Sequence, residues 1–262
     1  MPRQHHFKPK PKKDTSWNKV SSWYDRLVGE KGSDYHQNVI IPGALAMLDP
    51  QKGEKILDVA CGQGVFARRL REKGADVTGI DTAKGLIKAA QKRSSDIKYL
   101  TADATDLKIF PAGSFDAVSC IMAIMNIDPL EAAIKEMGRV LKKEGRLLLV
   151  LNHPCFRVPK QSSWVVDLEK KAQFRRIDSY MSAQKVPIKM HPGYDPSIET
   201  WTFHRPLSRY FKTLAENGLV VDQLEEWVSH RKSIPGPMKK AEDQIRGEIP
   251  LFLALAAIKL FA

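Results

Sequence analysis

The chain has 262 residues, 43% hydrophobic and 27% charged, which excludes wholesale disorder, a collagen-like fibre and a coiled coil. Lys and Arg number 42 against 30 Asp and Glu, and the formal charge of +12 favours an acidic partner: nucleic acid, an anionic membrane face or an anionic small molecule. Cys61, Cys120 and Cys155 are too few and too scattered for a disulfide framework, so a reducing compartment, the cytoplasm, is expected.

Residues 1–15 carry Arg3, Lys8, Lys10, Lys12 and Lys13 with little apolar surface, and are expected to form a disordered basic tail or a phosphate-touching arm. No apolar segment of signal-peptide type follows. Trp17, Val20, Trp23, Tyr24 and Leu27 recur at helical spacing until the glycines of residues 29–32 break the pattern. A second helix is predicted over 35–48, so that residues 16–50 make an N-terminal helical lid. Then a strand (55–60), a tight turn (61–64), a helix (65–73), a strand (76–80) ending in Asp81, a helix (83–93) and strands at 97–101 and 115–121 follow in turn. Asp128-Pro129-Leu130-Glu131 reads as a helix start, with the acid as N-cap and proline at the first helical position. Leu130, Ile134, Met137 and Leu141 give that helix its apolar stripe, Gly145 ends it, and 147–151 is a strand.

Residues 152–199 interrupt the rhythm with five prolines and little periodicity, and are expected to be an inserted substrate cap. The alternation is predicted to resume with a strand at 200–204, a helix at 207–217 capped by Gly218, and strands at 219–227 and 252–261. The apolar run 249–262, broken by Pro250 and Lys259, is too short to span a membrane and reads as a buried strand. Strands alternating with helices imply a doubly wound, mostly parallel α/β sheet of Rossmann-like type in a single domain over 16–262.

In such a sheet ligands bind beyond the carboxyl ends of the strands. The turn holding Gly62 and Gly64 lies at one such end, Asp81 at the next and Asp103 after the third. An acid at Asp81, 19 residues past Gly62, is placed to accept hydrogen bonds from ribose hydroxyls, so a nucleoside-containing cofactor is the expected occupant. Asp58, just before the turn, would repel a pyrophosphate and suit an ammonium group.

Residues 56–67 (ILDVACGQGVFA) resemble the first motif of class I S-adenosylmethionine-dependent methyltransferases, close to the methyltransferase type 11 group. Residues 79–81 (GID), 102–104 (ADA), 115–118 (FDAV) and 139–146 (RVLKKEGR) are similar to the family's later motifs, and 16–25 to the N-terminal helix of quinone-biosynthesis members. Ala60 stands where the motif has its first glycine. The resemblance implies a seven-stranded sheet with S-adenosylmethionine as cofactor. It places Asp58, Ala60, Gly62 and Gly64 at the methionine end, Asp81 and Thr82 at the ribose, Asp103 and Ala104 at the adenine, and Ile121 and Met122 as the closing wall.

The implied activity is methyl transfer to oxygen, nitrogen or carbon of a small molecule, an anionic one among the options. RNA methylation and cofactor binding without catalysis are the alternatives. His153, just past the fifth strand, is the candidate base. Tyr24, Tyr35, His36, His191, Tyr194, His204 and Arg205 are candidate substrate contacts; the spacing of the histidines matches no metal site. Pro154-Cys155 resembles the dipeptide of cytosine-C5 methyltransferases, but nothing around it matches. Between residues 157 and 189 eight Lys or Arg and three Asp or Glu interleave with Trp164, Phe174 and Tyr180, which suits single-stranded nucleic acid, a flat or anionic small substrate, or ordinary packing.

Overall fold

The computed structural model describes residues 17–189 and 199–260. The basic tail, His191 and Tyr194 lie outside the described residues. The sheet is built from β1 (Lys55–Val59), β2 (Asp76–Asp81), β3 (Lys98–Thr101), β4 (Phe115–Ile121), β5 (Leu141–Asn152), β10 (Leu219–Trp227) and β11 (Phe252–Lys259). Their order is β10-β11-β5-β4-β1-β2-β3, with β11 antiparallel to both its neighbours.

Alternation along β1 sends Leu57 and Val59 to one face of the sheet and Ile56 and Asp58 to the other. The Leu57 face packs beneath α5 (Leu130–Val140) and α6 (Leu207–Glu216), burying Ile134, Met137, Tyr210 and Leu214. The Ile56 face packs beneath α2 (Ile41–Leu48), α3 (Val65–Glu72) and α4 (Lys84–Arg93), burying Leu48, Phe66, Leu70 and Ile87. With both faces covered, the strand order reverses between β1 and β4, and the crevice opens there.

The N-terminal segment closes over this crevice. The helix α1 (Ser21–Val28) lies against α4, tied by Asp25 to Arg93 at 2.6 Å and by the Gly85 amide to the Asn18 side chain at 3.1 Å. The following loop is fastened to the first turn of the sheet, where Gln63 Nε2 donates to the Gly29 carbonyl at 2.6 Å. One π-helical turn (His36–Ile40) leads directly into α2, so the predicted 35–48 helix is continuous.

Four expectations change. Residues 200–204 form the predicted strand but not in the main sheet: β9 (Glu199–His204) pairs antiparallel with β8 (Gln184–Lys189). The 152–199 insertion is not irregular but carries that hairpin's first strand and a separate hairpin of β6 (Ser162–Asp167) and β7 (Ala172–Ile177). Leu141 belongs to β5, where it pairs with Phe115 ahead of a register shift, so α5 stops at Val140 rather than at Gly145. Pro129, not Asp128, occupies the N-cap position of α5, and Asp128 pairs with Arg205 at 3.1 Å. A helix not anticipated from the sequence, α7 (Lys239–Glu248), packs against β7.

Candidate active site

At the end of β1 the chain turns sharply, with left-handed backbone at Ala60 (φ 55°), Gly62 (φ 57°) and Gly64 (φ 82°). Glycine takes this conformation freely; alanine does so at a cost of about 1 kcal/mol. Gly64 heads α3 and packs so closely on Tyr99 that a Cβ would collide with the ring. Its role is to let the helix start against β3, and it lines neither cavity described below.

Asp58 is 1% exposed. Its Oδ1 accepts from the Ser119 hydroxyl at 2.9 Å, whereas its Oδ2 is buried without a hydrogen-bond partner. Burial, and secondarily the charge of Asp81, push its carboxyl up to about 7 despite the Ser119 bond and a weaker pull from the Ala67 amide. Asp81, at the end of β2, accepts from the Gly62 amide at 3.0 Å and from the Ala83 amide at 2.8 Å. Burial raises its pKa too, and those backbone bonds pull it back. The two acids therefore differ: Asp81 is satisfied by the turn that it shapes, and Asp58 has an unsatisfied oxygen.

Two cavities meet at this turn. A small one of about 50 Å³ is lined by Asp58, Ala60, Cys61, Gly62, Tyr24, His36 and Ile121. A larger cleft of about 560 Å³ runs along the strand ends past Asp81, Thr82, Ala102, Asp103 and Ala104. Ile121 and Met122 also line it, with Asn126, Ile127 and Asp128, and Met122 is held there by its amide bonding to the Val150 carbonyl at 2.7 Å. Asp103 also forms a local turn, its Oδ1 accepting from the Thr105 amide and hydroxyl at 2.9 and 2.8 Å. Tyr24 lines both cavities, packs edge-on against Trp17 at 5.2 Å, and has its hydroxyl pushed up to about 12 by burial and by Asp81.

The far side of the cleft is the β8–β9 hairpin, through Lys185, Glu199, Thr200, Trp201 and Phe203. Lys185 sits 4.4 Å above the Trp201 ring. These residues were not singled out from the sequence. The signal was period two: Trp201 and Phe203 share one face of β9 while Thr202 and His204 are buried on the other.

Other candidates hold structure. His204 Nε2 donates to the Tyr180 carbonyl at 2.6 Å, and Arg205 donates to the Ile127 carbonyl at 2.8 Å and to Asp128. Both are buried, and neither lines the cleft. Arg205 thus anchors the loop that does, although its Nη1 finds no partner. Tyr35 bonds Ser229 at 3.1 Å and packs on Phe252, outside both cavities. His36 lines the small cavity with its Nδ1 against the Ser33 hydroxyl at 2.7 Å, and burial lowers its pKa.

His153 does not occupy the position expected of a base. It is 1% exposed, lines neither cavity, and has both nitrogens engaged: Nε2 with Glu226 at 2.6 Å and Nδ1 as acceptor from the Cys155 amide at 3.2 Å. That pairing fixes the proton on Nε2 and leaves no lone pair for a substrate. Burial lowers its pKa in spite of Glu226. Cys155 points its thiol at the Tyr180 hydroxyl, 3.4 Å away, also outside the cleft.

Residues 57–149 match the family model described as a methyltransferase domain. Over 203 residues the chain is 35% identical to a demethylmenaquinone methyltransferase of Paenarthrobacter aurescens, covering 72% of this chain and 76% of that one. The chain belongs to the class I S-adenosylmethionine-dependent methyltransferases. A demethylmenaquinone methyltransferase of Beutenbergia cavernae is 36% identical over 105 residues, and there the match spans 40% of this chain and under half, 43%, of the relative. An S-adenosylmethionine-dependent methyltransferase from Mesorhizobium loti superposes with a TM-score of 0.68 at 23% identity, covering 86% of this chain and 98% of that one, which shows the shared fold. The matched stretch runs from within β1 to within β5 and includes the turn between Asp58 and Gly64, while β6 to β9 lie outside the family model.

Proposed function

We propose that the protein transfers a methyl group from S-adenosylmethionine to a flat, largely apolar small molecule. The observation that carries this reading is the buried, unpartnered Oδ2 of Asp58 at the glycine turn. A buried acid of this kind is stabilised as a carboxylate by a cation and destabilised by a phosphate. It fits a cofactor that brings an ammonium group and no phosphate, and it argues against a pyrophosphate-bearing dinucleotide.

In this reading Asp58 and the backbone of residues 60–62 hold the methionine end, with His36 and Tyr24 closing over it. Asp81, whose oxygens retain lone pairs beyond the two backbone bonds, and Thr82 hold the ribose. Asp103 and Ala104 flank the adenine, with Ile121 and Met122 as the opposite wall. When bound, S-adenosylmethionine supplies an electrophilic methyl on a sulfonium. The protein's part is to orient the acceptor for in-line approach and to exclude water.

The acceptor side is walled by Trp17, Ile127, Trp201 and Phe203, with Lys185 and Asp128 as the charged groups at its rim. Aromatic walls of this kind favour a planar ring. The relatives named for demethylmenaquinone support a ring of quinol type as the acceptor here. RNA is disfavoured because the cleft's own walls carry more apolar than cationic side chains.

Calorimetric titration tests the cofactor assignment. S-adenosylmethionine binds, and Asp58→Asn weakens it; binding of NADH in preference to S-adenosylmethionine contradicts the reading.

A further inference from the structure

The β6–β7 hairpin stands outside the seven-stranded sheet as a two-stranded ladder. Such ladders are marginal in water unless their apolar sides are covered. Here they are not. Val165 and Phe174 pair directly on one face, and Phe174 is 49% exposed. Trp164 and Val166 on the other face are exposed as well, and Leu168 in the connecting turn is 74% exposed. None of these five lines the cleft.

Charges of both signs flank this apolar tip, with Glu169 in the turn beside Leu168 and Lys170. Lys170 and Lys171 lie in the turn, and Lys170, 78% exposed, reaches Asp167 only at 3.8 Å. Arg176 follows on β7, next to Asp178 at 2.5 Å. The root of the hairpin is fixed: Arg175 donates to the Phe156 carbonyl at 2.7 Å and to the Ser162 hydroxyl at 2.6 Å, and β7 rests on α7. A rigid root therefore presents an aliphatic and aromatic tip on a hairpin whose four cations, Arg175 included, outnumber its three acids by one, in a chain of formal charge +12.

We propose that this tip docks the protein on an anionic phospholipid surface, with Leu168, Val165 and Phe174 entering the acyl boundary and Lys170, Lys171 and Arg176 meeting headgroup phosphates. Interfacial segments combine an apolar insertion with neighbouring lysines, as Leu168 and the Lys170-Lys171 pair do here. Single-stranded RNA fits less well. Base stacking needs open aromatic faces, but Arg175 lies 4.9 Å over the Trp164 ring, and the most exposed apolar side chain of the hairpin is the aliphatic Leu168. The surface is peripheral, since no helix among the described residues is long and apolar enough to cross a membrane. It does not depend on the reaction proposed above.

Vesicle flotation of the full chain tests it. The protein rises with vesicles of equal parts phosphatidylglycerol and phosphatidylcholine. Leu168→Ser/Phe174→Ser and, separately, Lys170→Glu/Lys171→Glu each lower the partition coefficient at least roughly tenfold with the melting temperature unchanged. No flotation on these vesicles overturns the proposal, as does flotation that both variants retain. Hairpin-dependent binding of oligouridylate, with none to vesicles, overturns it in favour of RNA.

Discussion

At the strand ends, Asp81 is held by two backbone amides, Asp58 by Ser119, and the turn between them by left-handed backbone over a doubly covered sheet. Across the cleft, Trp201 and Phe203 ride on a hairpin of two strands, fastened through His204 to Tyr180 and through Arg205 to the loop at 127–128. The first wall is fixed by main-chain geometry, so its position survives many side-chain changes. The second is fixed by a few side-chain bonds, so its shape follows the particular residues present. The function proposed above gives cofactor recognition to the first wall and acceptor choice to the second.

The sharpest way to break this division is Asp58→Asn. Removing the buried charge opposite a ligand cation costs about 2–5 kcal/mol, a loss of at least roughly thirtyfold in S-adenosylmethionine affinity by calorimetry. The same residue sets a pH dependence. Its carboxyl rises from 3.8 to about 7 on folding, so the folded chain binds that proton more tightly than the unfolded one. The contribution of Asp58 to stability is therefore most favourable below pH 4 and falls as pH climbs to 7. Cofactor affinity runs the opposite way, rising over that window and levelling above it, because the cation selects the ionised form. Asp58→Asn should abolish both trends in thermal melting and in titration.

Trp201→Ala acts on the other wall. Loss of one aromatic face costs about 1–2 kcal/mol, a roughly 5- to 30-fold rise in acceptor KM, with cofactor affinity changed less than about twofold. An equal loss in both would mean that the two walls are not separable. His153→Gln should leave kcat and the pH profile within about twofold while lowering the melting temperature, since it loosens a buried contact and touches no substrate. A lost acidic limb in the pH–rate profile would restore His153 as the base. Ala60→Gly is the smallest change: relief of the left-handed strain at φ 55° is partly offset by chain entropy, for a gain under about 1 kcal/mol in denaturant unfolding.

The sequence was legible where one strong constraint acts at fixed spacing. β1 through β4 announce themselves as apolar runs, and Asp58, Gly62 and Asp81 fall at strand ends as the doubly wound pattern requires. It was less legible where two uses compete for the same residues. Asp128-Pro129 has the composition of a helix cap, but an arginine 77 positions later captures the acid. Thr200 to His204 has the composition of a sheet strand, but β8 supplies a nearer edge. Gly64 reads as a ligand-approach glycine, and no local pattern signals that a Cβ there would also collide with Tyr99. His153 sits at the right strand end, yet Glu226 on β10 claims it, a contact between residues 73 apart that no local pattern signals.

The central claim is that a methyl group passes from S-adenosylmethionine to a small planar acceptor in the cleft between these walls. The direct measurement is transfer of labelled methyl from S-adenosylmethionine into a cell extract, divided into organic-soluble, RNA and protein pools. Label is expected in the organic-soluble small molecules and lost with Asp58→Asn. Label in RNA, or none in any pool while the cofactor still binds, would contradict the account.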